Sequence, residues 1–93
     1  MTSAVVDAAD DLAARCLDAS DAQGALWAAG RGLDTGRERE ALWRHRFDAL
    51  AQLGAHGELE AAIQQLNQYL LEADLPMERE TEETIRRLDA IRR

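Results

Sequence analysis

The 93-residue chain suffices for one domain with one modest core, since chains of this size bury only about 60 to 65% of their extended surface. Its composition, 46% hydrophobic and 31% charged, is globular rather than disordered. A net charge of −7 excludes an autonomous nucleic-acid binder, whose phosphate contacts need a clustered basic surface.

No run of 18 apolar residues exists, and the acidic start MTSAVVDAAD lacks the basic region and apolar run of a signal peptide, so a cytoplasmic protein with no membrane partner is expected. All 11 basic residues are arginine, there is no lysine, and Asn, Phe and Tyr occur once each, a bias that points to a GC-rich bacterial genome. Cys16 is the single cysteine, forms no CxxC or HExxH spacing, and reads as a small core residue.

Apolar residues spaced by three and four, with one proline, predict an all-α chain of about five helices. The first spans about residues 3 to 18 and is expected to bury Val6, Ala9, Leu12, Ala13 and Cys16. Ser20 with Gln23 forms a capping-box pattern that opens a second helix running to about Leu33. Thr35 with Glu38 repeats that pattern before a third helix, which carries Leu42, Trp43, Phe47, Leu50 and Leu53 and stops at Gly54. After the turn at 54–57, a fourth helix over about 58–73 is expected to bury Leu59, Ile63, Leu66 and Leu70, and Pro76 marks the break beyond it.

The fifth helix begins near Arg79, with Thr81, Ile85 and Leu88 on its buried side, followed by Ile91 or Arg92. Its acids at Glu80, Glu82 and Glu83 precede its bases at Arg86, Arg87, Arg92 and Arg93, the order a helix dipole favours. Glu40 with Arg44, Glu82 with Arg86 and Glu83 with Arg87 are spaced as exposed i,i+4 pairs, worth only about 0.2 to 0.5 kcal/mol each.

Shifted by 34 residues, the sequence places Ala9 on Trp43, Ala13 on Phe47, Cys16 on Leu50, Ala25 on Leu59, Ala29 on Ile63 and Gly32 on Leu66. That is the period of tetratricopeptide repeats, whose pattern is W-x2-L-G-x2-Y followed by A-x3-F. The expected architecture is an antiparallel right-handed stack of tetratricopeptide-like hairpins in a single domain: a unit over 4–36, a second over 37–74 and a capping helix over 79–92. Three positions depart from the pattern: Arg46 stands where leucine is usual, Phe47 fills the small position, and Arg37 stands where a proline ends a unit. An unrelated helical bundle is the competing architecture. The alanines cluster in the first unit, which is therefore expected to lean on a neighbour for further burial.

Catalytic and cofactor chemistry finds no support. Asp10-Asp11 and Glu82-Glu83 are adjacent, so each pair diverges by about 100° on a helix and cannot converge on one substrate or metal. His45 lies among arginines, His56 in a turn, and there is no phosphate loop, serine elbow or ExxH pair, so no metal or cofactor is expected. Tetratricopeptide-like stacks bind partners in the groove lined by the first helix of each unit. Here that face offers Asp7, Asp10, Ala14 and Leu17 from the first helix and Ala41, Arg44, His45, Asp48 and Ala51 from the third. Arginine and histidine there suit an acidic or C-terminal carboxylate segment. Trp43 falls on a core position, whereas Trp27 falls off the repeat positions and is a candidate interface anchor. The candidate partner-binding set is Asp10, Trp27, Arg44, His45 and Asp48.

The segment from about residue 24 to 89 resembles the bacterial transcriptional activator domain, a tetratricopeptide-like module of actinobacterial regulators. The resemblance is carried by Arg39, Glu40, Leu42 and Trp43, by Ala49, Leu50 and Gly54, by Glu58 and Leu59, and by Met77-Glu78, Glu80-Thr81-Glu82 and Arg86-Arg87-Leu88. It implies a non-catalytic regulatory domain that usually follows a winged-helix DNA-binding domain and further helix pairs, so the 93 residues are expected to be one part of a longer regulator. The implied partners are proteins: other domains of a parent regulator, a second copy, or the transcription machinery. The alternative expectation is a freestanding helical adaptor or homodimerisation module without a DNA-binding parent.

Overall fold

The computed structural model describes residues 4–92, side chains to residue 91, and every regular element among them is a helix. The elements are α1 (Ala4–Asp18), α2 (Ala22–Thr35), α3 (Glu40–Gln52), α4 (His56–Ala73) and α5 (Arg79–Arg92). The expected start at Ser3, the residue Arg93 and the side chain of Arg92 lie outside the described residues.

Two helix starts differ from the capping-box reading. Ser20 does not cap α2; it takes a left-handed conformation at φ 60° and closes α1, while the Asp21 amide donates to the Cys16 carbonyl at 2.7 Å. The cap therefore moves one residue on, where Asp21 accepts from the Gly24 amide at 3.0 Å. Thr35 is no cap either, because α2 continues through it, and α3 starts behind Arg39 without a side-chain cap. At the other end of α3, Gly54 at φ 70° turns the chain, with Ala55 donating back to Leu50 at 3.0 Å. Helix α4 then begins at His56, two residues earlier than expected, and ends at Asp74 in the same left-handed conformation.

Helix α3 is the hub: α1, α2, α4 and α5 all pack on it, and α1 packs on α2. Helices α1, α3 and α5 thus form one layer and α2 and α4 a second, in a body 39 × 31 × 20 Å whose thin dimension is about two helix diameters. The main core surrounds α3, with Leu42, Trp43, Phe47 and Leu50 meeting Leu59, Leu66 and Leu70 of α4 and Leu88 of α5.

The α1–α2 seam is built differently. Ala13, Ala28 and Ala29 are at most 1% exposed and bury one another by letting the two helices close up, while Ala25 is buried against Ala49 of α3. Leu12 is exposed, and Cys16 is half-buried as a free thiol against the Ala22, Ala25 and Ala49 cluster. On α4, Ala62 is buried and Ile63 only partly so; on α5, Thr81 and Leu88 are buried and Ile91 is exposed.

Candidate interaction surface

Four of the five expected partner-binding residues lie in the α1/α3/α5 layer, and there they bind one another's helices. Arg39, just before α3, reaches across to α1, donating to Asp7 at 2.6 Å and to Asp10 at 3.3 Å. The Asp7 hydrogen bond, reinforced by Asp10, raises the Arg39 pKa further above its ordinary value and keeps the guanidinium charged. Asp10 also meets the His45 Nε2 at 2.7 Å, so α1 is tied to both ends of the first half of α3.

Towards α5 the pattern continues. Arg44 donates to Glu78 at 2.9 Å and to the buried Thr81 hydroxyl at 3.0 Å, and Arg87 donates to Asp48 at 2.7 Å. Glu40, buried to 6% exposure, accepts the Glu78 backbone amide at 3.0 Å and fixes the start of the α5 segment. These bonds replace two of the three expected exposed pairs: Glu40 and Arg44 both turn to Glu78, Arg44 also to Thr81, Arg87 turns to Asp48, and Glu83 instead pairs with Arg79 at 3.3 Å. The face expected to be a free groove is a polar zipper between helices.

The fifth residue stands apart. Trp27 on α2 is 63% exposed, and the Arg31 guanidinium lies 5.9 Å from its ring centroid. Trp43 is buried, with its Nε1 donating to the Arg37 carbonyl at 2.9 Å.

A cleft opens in the second layer, where α2 and α4 both pack on α3 without packing closely on each other. It has two adjoining chambers of 280 and 380 Å³ that share Gly30, Arg46 and Gln65. Leu26, Leu50 and Glu58 line the first chamber; Asp34, Arg37 and Trp43 line the second. Arg37 also lies over Tyr69, 5.0 Å from its ring centroid. Arg46 sits between the chambers with its Nε buried and without a hydrogen-bond partner among the described residues. Two of the three departures from the repeat pattern, Arg37 and Arg46, line this cleft, while the third, Phe47, is buried in the core. A leucine at position 46 would fill space between the layers with carbon; the longer, charged arginine holds that space open to polar groups.

Among the described residues, no cluster of three or more His, Cys, Asp and Glu side chains is placed to hold a metal ion, and no helix is long and apolar enough to cross a membrane. Comparison with protein-family models, curated proteins and solved structures gives no match for this chain.

Proposed function

We propose that this chain is a non-catalytic protein-interaction domain with tetratricopeptide-like packing, serving as a regulatory part of a cytoplasmic bacterial transcriptional regulator. The observation that carries the interaction reading is Trp27. It is a large aromatic side chain held in water beside Leu26 and one turn before Gly30, which both line the cleft. Burying such a side chain against a partner releases about 1.5 to 3 kcal/mol, and tryptophan is enriched among residues that dominate interface energies.

The tetratricopeptide-like reading is supported by the 34-residue repeat and by helix packing in which α3 joins α1, α2, α4 and α5. The regulatory assignment rests on the resemblance of residues 24–89 to the bacterial transcriptional activator domain, and the acidic balance leaves DNA reading to another polypeptide segment.

The test is selection from a display library of random peptides against the immobilised 93-residue chain. Enrichment of binders that Trp27→Ala weakens at unchanged circular dichroism is the expected result. A chain that enriches no peptide, or that shifts DNA with sequence specificity by itself, overturns the proposal. Sedimentation analysis separates the alternative, a homodimerisation module, which predicts a dimer at micromolar concentration that Trp27→Ala dissociates.

A further inference from the structure

The face on which sequence reasoning placed the partner is closed by its own ion pairs, so Asp10, Arg44, His45 and Asp48 offer a ligand only groups that are already engaged. The cleft between α2 and α4 has the opposite property. The Nε of its central cation, Arg46, has no hydrogen-bond partner among the described residues and is shut off from water. A guanidinium N–H that has lost water without gaining an acceptor is an unmet demand, and a carboxylate meets it best because its two oxygens match two parallel N–H groups.

We infer that the α2/α4 cleft binds an acidic side chain of a partner's extended peptide segment, with the Arg46 guanidinium gripping the carboxylate and Trp27 covering an adjoining apolar residue. This inference rests on the interaction reading above and names its site.

Three features choose a peptide over a free small acid. The cleft has two chambers meeting at Arg46, so a segment can pass through with its carboxylate at the centre and a neighbour in each chamber. In the first chamber Leu26, Leu50 and Ala62 give a flanking side chain an apolar surface that a small acid does not use. Trp27, exposed on α2 three residues before the lining Gly30, offers a further contact outside the cleft.

Charge within the cleft sharpens the preference. Glu58 lines the first chamber with no cation besides Arg46, whereas the second chamber holds Arg37 as well as Asp34. A further acid would meet repulsion from Glu58 in the first chamber. The segment that fits carries its Asp or Glu at Arg46 and a neutral or basic neighbour in the first chamber. To present Nε as well as its terminal nitrogens, Arg46 has to turn towards the cleft, a rotation about single bonds that binding energy drives.

The closing experiment titrates peptides selected from the display library, each in its acidic form and with its Asp or Glu replaced by Asn or Gln, against the native chain and the Arg46→Gln variant. Circular dichroism and thermal melting establish that the variant is folded; removing a buried unpaired N–H leaves the fold at least as stable. The expected result is a single shared acidic position whose amide form binds at least tenfold more weakly to the native chain. Arg46→Gln should impose the same loss on acidic peptides and little further loss on amide forms. Selected peptides with no shared acid, or indifference to Arg46→Gln, overturn the inference and leave the interaction reading standing. A library that yields no binder at all overturns both. Sodium succinate binding as tightly as the peptides overturns the choice of a peptide segment.

Discussion

A Cβ added to Gly32 of α2 would stand 2.8 Å from the Ala9 Cβ of α1 and equally close to a Leu42 methyl of α3. Three helices meet at this point, and the absence of a side chain at position 32 sets their separation. Leucine methyls can rotate aside, but the Ala9 Cβ is fixed to its backbone, so Gly32→Ala must push α1 away. We expect it to cost about 1 to 3 kcal/mol from overpacking, against a helix-propensity gain of up to about 1 kcal/mol. Gly30→Ala is the internal control, because nothing lies within 4 Å of its added Cβ; it should stabilise the fold by about 0.5 to 1 kcal/mol. Urea unfolding of the pair checks both signs.

The α1–α2 connection separates two accounts of one serine. In the structure Ser20 bears the strain of a left-handed residue and Asp21 provides the cap. Ser20→Gly is therefore expected to stabilise by about 0.5 to 1 kcal/mol, and Asp21→Ala to cost about 1 kcal/mol. Were Ser20 the cap, Ser20→Gly would be neutral or harmful and Asp21→Ala mild. Thermal melts of the two variants decide between these patterns.

These residues also show where sequence was legible and where it was not. Helix number and the core positions Leu42, Trp43, Phe47, Leu50, Leu59, Leu66, Leu70 and Leu88 followed from periodicity, because burial on a helix repeats along the chain. The caps slipped because the pattern at 20–23 also admits a left-handed finish to α1, and the Asp21 to Cys16 bond that selects it spans a turn. Asp10, Arg44, His45 and Asp48 were correctly grouped on one layer. Their partners Arg39, Glu78 and Arg87 come from other segments, so their engagement depends on how helices stack. Arg37 and Arg46 were visible as breaks in a repeat, but the cleft they line exists only once α2 and α4 stand apart.

Helix α5 docks through few buried side chains. Thr81 and Leu88 are the buried ones among its described residues, supported by the polar bonds from Arg44 and Arg87, and it packs on α3. Leu88→Ala removes the larger apolar contact at a cost of about 2 to 5 kcal/mol. That exceeds what exposed ion pairs return, since each contributes at most about 1 kcal/mol. We expect α5 to open locally, with amides from residue 81 onward losing hydrogen-exchange protection while α1 to α4 keep theirs. Simultaneous loss across all five helices would show that α5 is integral to a single cooperative unit.

Arg46 sets stability against binding. Arg46→Met keeps an unbranched chain of similar reach and removes the buried Nε that lacks a partner. An unsatisfied buried donor costs about 1 to 3 kcal/mol, and because Arg46 is only half-buried the gain should fall below that range, at about 0.5 to 1 kcal/mol. In a chain of this size that corresponds to a rise in Tm of about 2 to 8 °C. A purely structural arginine would give the reverse, a lower Tm, because its replacement would break contacts that hold the layers together. A higher Tm together with loss of acidic-peptide binding would mean that the chain keeps an arginine its fold is more stable without, the behaviour expected of a residue retained for a ligand.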